Sequence, residues 1–240
     1  MNADNANRQT ARIVGALYIT GTVAGIMSVV LMGPVRNAQD YLVSVSANET
    51  RLVAGALCVL MMGFALAMVP VMMFPILKRC NEALALGYVV FRGGLEAVTY
   101  LIIATGWLLL SSMSRTYGQA NVSDAADFQV LGTLLLEAKE IGSVLTSVFC
   151  VGALMFYSLL YRTKLVPRWL SGWGLVAITP YLAAGLSALF GIIAPLSPTY
   201  TLSQLPLALQ EMVLALWLIV RGFSSAATVF GAAKTELTGV

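Results

Sequence analysis

Tyr88, Arg92, Glu96 and Tyr100 recur at every fourth position of the chain. Residues four apart lie on one face of a helix, so two phenols, a guanidinium and a carboxylate share a narrow stripe. The surrounding run, Leu84 to Leu110, is otherwise apolar. A charge inside such a run costs a few kcal/mol at membrane depth and persists when it is turned inward and paired. Arg92 and Glu96 can pair along the helix, but arginine before glutamate is the weaker order, so a further partner is expected. Glu211, inside another apolar run, is the candidate. Counted by helix rise from Leu84, Arg92 lies about 12 Å deep and Glu96 about 18 Å; counted from Val220, Glu211 lies about 14 Å deep. Leu207, Leu214 and Leu218 share the face of Glu211 and should turn inward with it. The predicted contact is therefore Arg92 to Glu211 across the bundle, beside or instead of Arg92 to Glu96. Fully ionised, the cluster carries one net negative charge. That imbalance points to a proton on one glutamate or to a cationic ligand. The plainer alternative is an ion cluster that only sets helix register.

Other chemistries find little support. Histidine is absent, which removes the usual zinc sites, histidine-ligated haem and every Ser-His or Cys-His pair. Cys58 and Cys150 fall inside apolar runs and Cys80 in a short basic loop, a scatter that suggests neither a disulfide framework nor a metal site. No cofactor is expected. An enzyme acting on a lipid or isoprenoid, with Glu96 or Glu211 as acid or base, is conceivable. No nucleophile-base pair or phosphate-binding motif accompanies it.

The elements that must hold this stripe follow from composition. The 240 residues are 59% hydrophobic and 10% charged, against about 45–50% apolar and about 25% charged in soluble domains. Lipid is the solvent that accommodates so much apolar surface. Runs near the roughly 20 residues needed to cross a bilayer extend over Ile13–Met32, Leu52–Leu77, Leu84–Leu110, Ile141–Tyr161, Trp169–Ile193 and Gln204–Val220. The first lacks a small-residue cleavage pattern and is read as an uncleaved span. The expected fold is all-α, a bundle of six transmembrane helices.

Basic residues set the orientation. Arg8, Arg12, Lys78, Arg79, Arg162, Lys164, Arg168, Arg221 and Lys234 fall on one side, and only Arg36, Arg51, Arg115 and Lys139 on the other. Cytoplasmic loops carry the excess of Lys and Arg, so both termini should face the cytoplasm. The net charge of +3 is small and spread between spans, which argues against nucleic-acid binding. The expected organisation is a cytoplasmic N-terminus over 1–12, a membrane domain over 13–222 and a cytoplasmic tail over 223–240.

Ser123, Asp124 and Asp127 read as a helix start, a capping hydroxyl with acids in the first turn. A helix from Asp124 to Tyr161 would be about 57 Å long, longer than the roughly 30 Å hydrocarbon core. An extra interfacial helix before the fourth span, to about Lys139, with a bend near Gly142, resolves the mismatch. Pro70 and Pro75 in the second span and Pro180 in the fifth are expected to kink or break their helices. Gly21 and Gly25 form a small-residue face suited to close helix packing inside the bundle. Trp107, Trp169, Trp173 and Trp217 read as interface anchors.

Three segments carry a resemblance. They are Phe91-Arg92 followed by Glu96-Ala97, the stretch Leu160-Tyr161-Arg162 through Leu165-Val166-Pro167-Arg168-Trp169-Leu170-Ser171-Gly172-Trp173-Gly174, and Glu211 to Leu218 ending in Arg221-Gly222. Together they resemble the bacterial membrane proteins of domain of unknown function 4386, over roughly residues 10 to 222. The resemblance implies a six-span protein of the bacterial plasma membrane and no particular activity. Where that pattern often opens the fourth span with His-Asp, this chain has Lys139-Glu140, against a shared catalytic histidine. Two functions remain open. One is a small binding or transport protein whose cavity takes a small molecule or ion near Arg92, Glu96 and Glu211. The other is a non-catalytic accessory or sensory membrane subunit with a partner protein not identifiable from the residues. Membrane lipids are expected partners, and nucleic acid is not.

Overall fold

The computed structural model describes residues 3–36, 41–117, 130–132, 139–195 and 197–224. Among these the chain is helical and without strands. The elements are α1 (Ala3–Arg36), α2 (Tyr41–Ala47), α3 (Glu49–Leu77), α4 (Glu82–Tyr117), α5 (Lys139–Thr163), α6 (Arg168–Leu189) and α7 (Pro198–Val220). All except the short α2 are long and apolar enough to cross a membrane, six helices among the described residues. The chain is a multi-pass membrane protein by this measure. Its outward faces carry side chains such as Val30, Phe64, Val176 and Leu216, more than half exposed in the isolated chain, as a lipid-facing surface requires.

Consecutive spans pack side by side, and α7 returns to α1, so the six close into a ring in chain order. The inward faces build one continuous core from Tyr18, Met73, Tyr88, Phe156, Leu170 and Leu214 among others. Small residues set the spacing between helices. A methyl group on Gly21 would fall 2.8 Å from the Leu66 side chain, and one on Gly25 2.8 Å from Met62 Sδ. The small face of α1 is thus spent on α3 inside the chain.

Several local expectations need correction. Neither Pro70 nor Pro75 breaks α3, and Pro180 does not break α6. The irregular turn lies in α4 instead, where Val89–Leu95 is π-helical. The fifth span stops at Leu189 rather than Ile193. Gly191 there adopts φ +69°, a conformation glycine reaches without strain, and turns the chain away. The sixth span starts at Pro198, six residues before Gln204, because Ser197 caps it by accepting the Tyr200 N–H at 3.3 Å. Proline in the first turn completes the signal. The helix α5 passes Gly142 without interruption from Lys139. The loop before the second span contains α2, which hydropathy did not foresee. The interfacial helix expected before the fourth span lies largely outside the described residues, as do most of the 223–240 tail and the side chains of Lys139 and Glu140.

Trp107, Trp173 and Trp217 are partly buried and pack one side against the core. Trp169 is 55% exposed and meets Trp217 edge-on at 6.4 Å, the arrangement expected of interfacial aromatics.

Candidate functional site

The third span buries the four residues of its polar stripe on one face, and an irregular turn narrows the stripe that α-helical spacing alone would give. Successive steps of four residues drift by about 40° at 3.6 residues per turn, so four such residues would fan across about 120°. A π turn is wider, with i→i+5 bonding and about 4.4 residues per turn. Placed between Tyr88 and Glu96, it drifts the opposite way and roughly halves that fan. Tyr88, Arg92, Glu96 and Tyr100 are all buried. The consecutive Gly93 and Gly94 sit in this stretch. At Gly93 an added methyl would come within 3.3 Å of Pro70 Cγ and 3.5 Å of the Ala67 carbonyl oxygen, so the wide turn presses directly against α3.

Arg92 is the hub. Its guanidinium donates to Glu96 Oε1 at 3.1 Å along the helix and to Glu211 Oε1 at 3.4 Å from α7. The helices α4 and α7 occupy opposite places in the ring, so this contact bridges its interior. The expected alternatives are both realised, and Leu207, Leu214 and Leu218 are buried beside Glu211 as their spacing indicated. Phe149 from α5 places its ring 4.3 Å from the guanidinium carbon, close enough for cation–π attraction. Gly152, one turn along α5, makes room for the arginine stem. A methyl there would fall 2.5 Å from Arg92 Cγ and 3.3 Å from its backbone nitrogen.

The two glutamates are unlike. Glu96 is shielded: it accepts the Tyr100 hydroxyl at 3.0 Å, and the Thr99 hydroxyl caps its carbonyl at 2.9 Å. Its Oε2 lies 3.0 Å from Arg92 Nη1, off the direction of a hydrogen bond. It is the sole fully buried side-chain polar atom among the described residues with no hydrogen-bond partner. Glu211 has one contact, at 3.4 Å, and keeps 17% of its side chain exposed. Of the two carboxylates, Glu211 is therefore the less enclosed.

The site extends beyond the residues that spacing indicated. Tyr88 meets the Tyr18 hydroxyl of α1 at 3.5 Å and stacks on Phe156 with ring centres 4.6 Å apart. Next to Glu211, Gln210 accepts the Tyr157 hydroxyl at 2.6 Å and donates to the Leu170 carbonyl at 3.0 Å. That chain ties α5, α6 and α7 together. Its signal in the sequence was an amide beside a carboxylate inside an apolar run. At the far end of α4, Glu49 receives Arg115 and Ser111, an ion pair open to solvent.

The family described as Domain of unknown function (DUF4386) matches residues 13–222, from the first span to the turn after the last. The chain belongs to this family. No curated protein and no solved structure matches it. Within the DUF4386 region lie Tyr88, Arg92, Glu96, Tyr100 and Glu211 together, so the charge cluster is built wholly from its helices. Among the described residues no group of His, Cys, Asp and Glu is arranged to hold a metal.

Proposed function

We propose that this chain is a small ligand-binding or transport protein of the bacterial plasma membrane, with both termini in the cytoplasm. The ligand is a proton or a compact cationic group, and Glu211 receives it. One observation carries the reading: a single guanidinium serves two carboxylates inside the ring, and the less well-held of them is the one left partly exposed. Burying an unbalanced charge is costly, and one more positive charge removes the imbalance. Arg92 then has two tasks. It holds Glu96 in place and keeps Glu211 oriented with a long contact that a ligand can replace. The excess of Lys and Arg at the end holding Lys78, Arg162 and Arg221 supports the orientation.

The test is thermal stability of the purified protein in detergent, titrated with monovalent metal cations and small amines over a series of pH values. Stabilisation by one of these, lost in Glu211→Gln and retained in Arg51→Gln, is the expected result. Indifference to the whole panel at every pH, with a stoichiometric partner recovered by cross-linking in native membranes, would replace this reading with that of an accessory subunit.

A further inference from the structure

A second feature lies at the other end of α7, away from the charge cluster. The turn between α5 and α6 and the end of α7 line an open, surface-facing cavity of about 520 Å³. Lys164, Arg168 and Arg221 line it together with Trp217, and no acidic residue does among the described residues. Arg8, from the start of α1, lies against Gly222 at its edge.

The cavity is built by backbone geometry and is more than a gap between loose loops. Helix α5 ends with Lys164 in the left-handed region at φ +55°, its N–H bonded to the Leu160 carbonyl at 3.0 Å. Glycine or asparagine ordinarily occupies that position, because a side chain there is strained. Helix α7 ends in the same manner at Gly222, φ +73°, which folds Phe223 and Ser224 back towards the α5–α6 turn. The Ser224 N–H then donates to the Leu165 carbonyl at 2.9 Å and fastens the two walls. Val166 is fully buried beneath. A strained lysine, retained where glycine would be easier, directs a cation to a cavity that already holds two arginines.

We infer that this cavity binds a phosphate-bearing anion, and that the phosphate is that of a lipid headgroup. Three cations with no counter-charge among the described lining residues suit an anion, and basic pockets between membrane helices are suited to acidic headgroups. The volume is in the range of pockets that hold small ligands. The lipid source follows from the aromatic pair Trp169 and Trp217, whose edge-on contact places an amphipathic surface beside the cavity, at the level where headgroups lie. The inference is independent of the ligand proposed for Glu211, with which it shares no residue.

The experiment uses the full chain in a neutral detergent, titrated separately with a short-chain phosphatidylglycerol, with phosphatidylcholine of the same chains and with inorganic phosphate. Melting temperature and tryptophan emission are read, since Trp217 lines the cavity. Phosphatidylglycerol should raise the melting temperature and shift the emission, and phosphatidylcholine should do neither. Lys164→Gly keeps the backbone at ease and removes one cation, and Arg221→Gln removes another. Each should weaken the response about fivefold, the value of one basic residue near an anionic headgroup. Arg51→Gln, at the opposite end, should leave it unchanged. Inorganic phosphate acting alone through the same two residues would support the phosphate site and assign it a soluble ligand. Equal responses to the two lipids, an equal loss in Arg51→Gln, or no response to any probe would overturn the inference.

Discussion

At the scale of single residues, the three members of the cluster should differ sharply in what their loss costs. Arg92 is 2% exposed and serves both carboxylates. Replacing it by methionine leaves Glu96 buried without a counter-charge, a loss of about 3–5 kcal/mol. Glu96→Gln keeps an acceptor for Tyr100 and Arg92 but removes a charge-assisted bond, at about 1–3 kcal/mol. Glu211→Gln weakens one 3.4 Å contact of a partly exposed group and should cost under about 1 kcal/mol. Melting temperatures in detergent should therefore fall in the order Arg92→Met, Glu96→Gln, Glu211→Gln. The double variant Arg92→Met with Glu211→Gln should melt above the value that adding the two single losses implies, because the second change removes a carboxylate that the first left unpaired. Strict additivity would mean that the two residues do not act on one another. This cluster was legible in the residues themselves. Charges are rare in apolar runs, and the depths of Arg92 and Glu211 follow from helix rise alone. The inequality of the two glutamates was not legible. It arises from Tyr100, Thr99 and the ring of neighbours, which enclose Glu96 fully and leave Glu211 partly exposed.

At the scale of the helix, spans were legible and their irregularities were not. Hydropathy reports how apolar a run is, and six runs emerge cleanly. It carries no information on whether a turn closes at i→i+4 or i→i+5, so the π-helical stretch of Val89–Leu95 was invisible. Prolines misled in the opposite direction. In a bundle, neighbouring helices and local adjustments satisfy the backbone groups that a proline frees, so α3 and α6 continue past Pro70, Pro75 and Pro180. The glycines of α5 test this packing. At Gly152 a methyl meets Arg92 Cγ at 2.5 Å, whereas at Gly142 nothing lies within 4 Å. Gly152→Ala should lower stability by about 1–3 kcal/mol through overpacking. Gly142→Ala should be neutral or raise it by up to about 1 kcal/mol, the gain in helix propensity. The comparison is made within one helix by the same substitution, so propensity cancels and the contact with Arg92 remains. Equal effects from the two variants would show that Gly152 is not where the arginine stem rests.

At the scale of the whole molecule, orientation is decided by charge, and Cys80 reports on it. This cysteine is exposed in the turn between α3 and α4, beside Lys78 and Arg79. Cys58 and Cys150 lie within α3 and α5, where a water-soluble reagent does not enter. A membrane-impermeant maleimide therefore labels the unaltered chain at Cys80 alone. The basic turn that holds Arg162 and Arg168 shares an end of the bundle with the start of α1 and the end of α7, as the closeness of Gly222 to Arg8 and the bond from Ser224 to Leu165 require, and the turn that holds Lys78 joins them by the alternation of the spans. Every crossing must then reverse together, and one reporter orients them all. If the positive end faces the cytoplasm, Cys80 should be unreactive in intact cells and labelled in inverted membrane vesicles. In a Cys80→Ala background, Arg51→Cys places the reporter at the start of α3, at the opposite end, and its reactivity should be the inverse. Labelling of Cys80 in intact cells, with Arg51→Cys protected, would turn the molecule over. The cavity lined by Lys164, Arg168 and Arg221 would then face the outer leaflet, and the four basic turn and terminal segments would stand against the charge rule that governs other short-looped membrane proteins.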